Sequence, residues 1–285
     1  MVERVTVKVL VENSASLDNP QLTARHGFSV MVGAEARAFG KVNVLLDTGP
    51  SADVTISNAN TMDVDLSKTD MIVISHGHGD HAGGLVGVLK HIGRRVPVIV
   101  HPEIFSPKLK IKPFLKTIGP QYTSEDVERS GGVLVPARNP VTLAPGVTTT
   151  GEIERVTLFE KPEGFRTVSE GSFKEDLLVD DQALVISVDG KGLAVISGCA
   201  HSGIVNSVAR AKKVTGENRV HAVIGGFHLE GADETQIEAT LKELAKLEPT
   251  LVCPSHCTGF KATKRIAEIF EERCKPLRTG DVLQI

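Results

Sequence analysis

Between residues 76 and 81 the chain reads His76-Gly-His78-Gly-Asp80-His81, directly after the apolar run Met71 to Ile74 and Ser75. This stretch constrains the fold more than any other. Three imidazoles and a carboxylate must end a buried strand at a face that can admit an ion. The turn must also be sharp enough to aim several donors at once. Gly77 and Gly79 carry no Cβ, so the backbone can bend there. His76 and His78 are two apart and can point the same way from an extended segment. Neutral imidazole together with carboxylate suits zinc, iron, manganese or nickel. A solvated polar loop is the plainer alternative, and this spacing argues against it.

Three further histidines occupy the same kind of position, after an apolar strand and within a glycine-containing turn. His201 lies in Ser197-Gly-Cys-Ala-His201-Ser-Gly203, His228 in Gly225-Gly-Phe-His228, and His256 in Pro254-Ser-His256-Cys-Thr-Gly259. In α/β layers such strand ends converge on one face, where sites form. His201 and His256 are expected as metal ligands. His228 is expected to face substrate or support the ligands. His26, in Arg25-His-Gly-Phe-Ser29, is a further candidate to approach the site. His91 reads as a surface residue, and His101 and His221 as structural ones. Cys199 is open to two readings, a thiolate ligand or a small buried residue. Ser202-Gly203 opens a helix, whose free N–H groups would either receive a phosphate or form an ordinary cap.

The chain has 285 residues and a formal net charge of −3. That length supports a core without staples. The charge gives no basic footprint for nucleic acid. The four cysteines, Cys199, Cys253, Cys257 and Cys274, are too few for a disulfide framework. The N-terminus alternates charged and apolar residues and lacks the pattern of a secretory signal. No apolar run approaches the ~18 residues that a membrane span requires. The expectation is a cytoplasmic protein.

Periodicity predicts strands at 3–11, 28–33, 41–46, 70–75, 96–101, 183–188, 193–196, 221–224, 251–252 and 282–285. It predicts helices at 82–92, 204–214, 233–247 and 261–272. Residues 102 to about 180 read as an irregular insertion, with a short helix at 124–130 and strands near 132–136 and 147–150. Such segments often form lids or substrate-binding walls. Two sheets packed face to face, with helices outside, would bury every apolar face.

The His76–His81 motif, with Leu46-Asp-Thr-Gly49 ending an earlier strand, resembles the metallo-β-lactamase superfamily. The resemblance covers nearly the whole chain. It implies a single α/β domain over residues 1–285, a four-layer αββα sandwich with a binuclear metal site along its top edge. Four patterns narrow it: Arg25–Ser29, Thr150–Ile153, Ser197–Asn206, and Gly225–Leu229 with Pro254–Gly259. They are similar to the dihydropteroate-synthase-like group of this fold, labelled 7,8-dihydropterin-6-methyl-4-(β-D-ribofuranosyl)aminobenzene-5'-phosphate synthases. That label implies joining a pterin to a ribofuranosyl-aminobenzene phosphate, with diphosphate leaving.

By this resemblance His76 and His78 match ligands of the first metal, and Asp80, His81 and His256 match ligands of the second. Asp47 matches an aspartate that orients the histidine loop. Two departures stand out. The turn Gly151-Glu152-Ile153 lacks the family's midway histidine, and Ser197-Gly198 is followed by Cys199 where the family places a bridging aspartate. The third ligand of the first metal is therefore expected to be His201, with Glu152 as the other candidate. The carboxylate bridge is either missing or replaced by Cys199.

The expected cofactors are two divalent ions, zinc first, with iron or manganese as alternatives. The first functional reading is a hydrolase acting on a phosphoester or similar bond through a bridging water. The second is the pterin-linked transferase, and the third a metal-binding or redox protein without turnover. Asp80 and His228 are the expected catalytic residues, His228 donating a proton or hydrogen-bonding a developing anion. The partner is a small-molecule substrate, with phosphorylated compounds among the candidates.

Overall fold

In this computed structural model, which describes residues 1–161 and 164–285, two sheets pack face to face and helices cover their outer sides. The first sheet orders seven strands as Val282–Gln284, Arg4–Val11, Ser29–Ala36, Gly40–Leu46, Met71–Val73, Val96–Val100 and Gly132–Pro136. The second orders six as Leu251–Ser255, Val220–Gly226, Gly192–Ser197, Ala183–Val188, Val147–Thr149 and Thr142–Ala144.

Side-chain alternation assigns each residue to a layer. Val5, Val7 and Val9 enter the core between the sheets, beside Ile186, Ile196 and Ile224 from the second sheet. The register slips between Val9 and Val11, so Leu10 and Val11 both turn to the helix side. Under the first sheet's helices, Leu85, Val88, Leu89 and Ile92 form one stripe of Leu85–Ile92. Each such burial contributes roughly 1.5–3 kcal/mol. Gly93, at φ +70°, ends that helix in the left-handed conformation. Helices Ile204–Thr215, Glu234–Lys246 and Phe260–Phe270 cover the second sheet in the same way. The arrangement is the expected αββα sandwich.

One helix was not legible from periodicity. Ala52–Thr61 reads ADVTISNANT, rich in residues that favour caps and turns. Tertiary contacts hold it. Thr55 Oγ1 donates to the Thr48 carbonyl at 2.7 Å, and Asn58 Nδ2 donates to the carbonyls of Leu10 and Thr23 at 2.8 and 2.9 Å.

The described residues of the segment 102–180 carry more regular structure than their composition suggests. They supply edge strands to both main sheets. They also build a third, four-stranded sheet, ordered Ser172–Glu175, Phe165–Ser169, Leu109–Lys110 and Lys116–Thr117. Two ties bind this lid to the histidine loop. The N–H of Gly79 donates to the Ile118 carbonyl at 2.7 Å. Asp180 accepts from the Gly77 N–H and from Lys108 Nζ, each at 2.8 Å.

Gly40–Leu46, Met71–Val73 and Val96–Val100 run parallel in the first sheet, and Gly192–Ser197, Val220–Gly226 and Leu251–Ser255 run parallel in the second. Their carboxyl ends deliver Asp47, the histidine loop, the turn holding Cys199 and His201, His228 and His256 to one edge. No helix among the described residues is long and apolar enough to cross a membrane.

Candidate metal centre

The turns at these strand ends use unusual backbone geometry. Asp47, Ala200, His228 and His256 all have positive φ, between 47° and 59°. Such conformations cost energy for non-glycine residues and cluster at sites where side-chain direction matters.

Two groups of donors result. In the first, His76 Nε2 lies 3.0 Å from His78 Nδ1 and 3.2 Å from His201 Nε2. In the second, His256 Nε2 lies 3.1 Å from His81 Nε2 and 3.4 Å from Asp80 Oδ2, while His81 Nε2 and Asp80 Oδ2 are 3.9 Å apart. Cys199 stands between them, its Sγ 3.2 Å from His81 Nε2 and within 4.8 Å of donors on His76, His201 and His256. Each neutral imidazole carries only one N–H, so nitrogens converging in this way cannot all be satisfied by one another. They fit shared ligation, because a tetrahedral ion with bonds of about 2.0–2.1 Å sets its ligands roughly 3.3 Å apart. The donor set fits divalent transition metals.

The electrostatics differ between the two groups. Burial holds His76 and His201 well below the ordinary histidine range and brings His78 down to about 3. The Phe165 ring, from the lid sheet, packs 5.1 Å from both the His78 and His201 rings and helps exclude water. Neutral imidazole is the form that ligates. Burial also acts downward on His81, but Asp47 and Asp80 outweigh it and raise the group to about 9. Asp80 is held well below the usual carboxylate range: burial pushes it up, and the His81, His256 and His26 imidazoles push it further down.

Behind the donors lies a buried support. Asp47 Oδ2 is 2.7 Å from His81 Nδ1, and its carboxylate accepts from both the N–H and the hydroxyl of Ser75 at 2.7 Å. Ser75 Oγ in turn lies 2.9 Å from His76 Nδ1. The second sheet closes directly over this relay. A Cβ at Gly198 would fall 2.1 Å from Ser75 Oγ and 2.6 Å from Asp47 Oδ2, so the residue before Cys199 must lack a side chain.

The remaining expectations divide. His26 Nε2 lies 3.2 Å from Asp80 Oδ2, at the rim. The His228 ring lies 4.1 Å from that of His201 and lines the cavity. Glu152 is a correction: it is not among the gathered donors, but lies 2.8 Å from His101 Nε2 and 2.6 Å from Arg138. The helix start at Ser202-Gly203, open to two readings, is capped from within the chain. Glu160 accepts the N–H groups of Val205 and Asn206 at 2.9 and 3.1 Å, and Asp181 accepts that of Ser202 at 2.7 Å, so an internal carboxylate occupies the proposed phosphate seat.

Three participants escaped the sequence reading. Cys257 brings its sulfur within 4.8 Å of donors on Cys199 and His256. Glu12 accepts the His256 N–H at 2.7 Å, and Asn13 Oδ1 lies 2.9 Å from His256 Nδ1. Adjacency to His256 marked Cys257. Nothing after the N-terminal strand marked Glu12 or Asn13, since their role depends on contacts 244 and 243 residues distant. Cys253 and Cys274 pack in the hydrophobic layers.

The donors open into a cavity of about 920 Å³ between the sandwich edge and the lid. This fold, with paired histidine-rich donor groups at one edge, defines a metal-dependent enzyme class. The sequence profile of the metallo-beta-lactamase superfamily matches residues 23–211. The chain belongs to that superfamily. It is 36% identical over 289 residues to the 7,8-dihydropterin-6-methyl-4-(beta-D-ribofuranosyl)-aminobenzene-5'-phosphate synthase of Methanocaldococcus jannaschii, covering 99% of this chain and 97% of that one. Among solved structures, a metal-dependent hydrolase of the beta-lactamase superfamily superposes with a TM-score of 0.82 at 29% identity, covering 99% of both chains. Zn(2+)-bound PqqB from Methylobacterium extorquens shares the fold at a TM-score of 0.53 and 13% identity, over 98% of this chain and 99% of that one.

Proposed function

We propose that this protein is a metal-dependent hydrolase of a phosphoester or similar bond. The observation that carries the reading is the pair of adjoining donor groups facing one cavity. His76, His78 and His201 would hold one divalent ion, zinc in the first instance, and Asp80, His81 and His256 a second. Cys199 would stand in the bridging place as thiolate. Ions held there supply Lewis acidity and lower the pKa of water toward neutrality.

The chain's own residues do the rest. Asp47 fixes the orientation of His81 and, through Ser75, of His76. Asp80, steadied by His26, holds negative charge at the rim of the second group. His228 reaches the cavity from above His201 and hydrogen-bonds the departing group. Phe165 keeps bulk water from the first group. The whole chain acts as one unit, a reading supported by the pairing of Val282–Gln284 with Arg4–Val11. Four free cysteines suit a reducing compartment such as the cytoplasm.

The test is elemental analysis combined with turnover of a chromogenic phosphodiester. Two transition ions per chain, and activity lost alike in His78→Ala and His256→Ala, are expected. Fewer than one ion per chain in reconstituted protein would overturn the reading.

A second reading rests on the full-length relationship to the archaeal synthase. In it, the same donors would engage a diphosphate leaving group while an aminobenzene ribosyl phosphate attacks the pterin methylene. Diphosphate release from a mixture of dihydropterin diphosphate and the ribosyl phosphate supports it, and its absence rejects it.

A further inference from the structure

The lid carries a concentration of charge that the metal centre does not use. Between Glu103 and Glu125 the chain has four lysines, Lys108, Lys110, Lys112 and Lys116, and no acidic residue, although its net charge is −3. Lys108 is spent internally on Asp176 and Asp180. Lys110 and Lys116 are different. They face each other directly in the antiparallel register of Leu109–Lys110 with Lys116–Thr117. Directly opposed residues project from the same face of a sheet, with Cβ atoms about 4.5–5.5 Å apart, and like charges placed so repel. Both line the cavity that holds the donor histidines. Among the described residues, neither makes an ion pair within 4.0 Å, while Lys108 in the same hairpin makes two.

Both lysines are exposed to solvent, side by side at the mouth of the cavity, where an anion entering the site meets two positive charges at once. The other candidate anion seat, the start of helix Ile204–Thr215, is already filled by Glu160. The hairpin is held against the histidine loop by the Gly79–Ile118 and Gly77–Asp180–Lys108 bonds, so the lysines keep a fixed relation to the donors. Ile118 and Phe165 give the space between them an apolar wall.

We propose that Lys110 and Lys116 clamp a second anionic group of the substrate, a phosphate separate from the group that the metal centre engages. The substrate class is then an organic molecule with a partly apolar body and two anionic ends. This rests on the proposed metal-dependent reading for one end only. The lysines recognise the other end by charge and hydrogen bonding, whichever reaction follows.

The experiment is calorimetric binding to the metal-loaded full chain, using alkane-α,ω-diyl bisphosphates from ethane to octane and the matching monophosphates. For at least one chain length the bisphosphate should bind at least tenfold tighter than its monophosphate. Lys110→Gln/Lys116→Gln should erase that gain and leave monophosphate affinity unchanged. Lys110→Arg/Lys116→Arg should preserve it, which separates charge recognition from a folding defect. A gain that survives in the glutamine variant, or no gain at any length, overturns the clamp. If instead the glutamine variant loses both ligands, the clamp stands and the metal reading of the other end fails.

Discussion

Lys108 Nζ and Asp180 Oδ1 meet at 2.8 Å, both buried, beneath the lid and against the histidine loop. The other oxygen of Asp180 takes the Gly77 N–H, so a single carboxylate joins the lid to the backbone between His76 and His78. Removing one partner of such a pair leaves charge buried without compensation. Lys108→Met should therefore destabilise the fold by about 3–5 kcal/mol. Urea denaturation measures this, and a cost below about 1 kcal/mol would show that the lid is not anchored there.

Asp47 is expected to act on metal affinity rather than on the fold. Its contacts run to His81 directly and to His76 through Ser75. Supporting residues of this kind typically change metal affinity 10–100-fold when replaced. Asp47→Asn should weaken the ion on the His81 side first, as read by competition with a chelator. Retention of both ions at wild-type affinity would refute the assignment.

Cys199 can be examined by spectroscopy. If its thiolate lies between the ions, the cobalt-loaded protein should show a sulfur-to-metal charge-transfer band that disappears in Cys199→Ser. Cys199→Asp should keep two ions per chain, because a carboxylate also suits these metals. A band that persists in the serine variant would assign the sulfur to Cys257 instead.

Asp181 gives a signed pH prediction. Burial raises its carboxyl to about 6 from 3.8, even though Oδ2 accepts the Ser202 N–H. The folded state thus holds the proton more tightly than the unfolded chain. As pH rises from about 4 to about 6, this group's contribution to stability is lost, and the loss is complete above that window. Asp181→Asn removes the titration. The variant should gain on the wild type across that interval, by on the order of 3 kcal/mol at neutral pH. Parallel stability curves for the two proteins between pH 4 and 7 would contradict the argument.

The sandwich was legible along the chain, and so were most of the side chains that gather at its edge. Alternation and helical spacing are local properties, and glycine-rich turns after apolar strands placed His76, His78, Asp80, His81, His201 and His256 without any coordinates. Helix Ala52–Thr61 was invisible because distant carbonyls, not its own propensity, hold it. The lid sheet was hidden because its strands of two to five residues come from opposite ends of a long segment, too short for periodicity to register.

What the chain determined alone is therefore which candidate donors end which strands, since residue type and spacing along the chain fix that. Only the tertiary structure decided their grouping. Glu152 went to His101, Glu160 filled the helix start, and Cys257, Glu12 and Asn13 joined His256. Lys110 came opposite Lys116 above the cavity. Each of these outcomes depends on which surfaces pack together, and packing between segments far apart in sequence leaves no mark in the local order of residues.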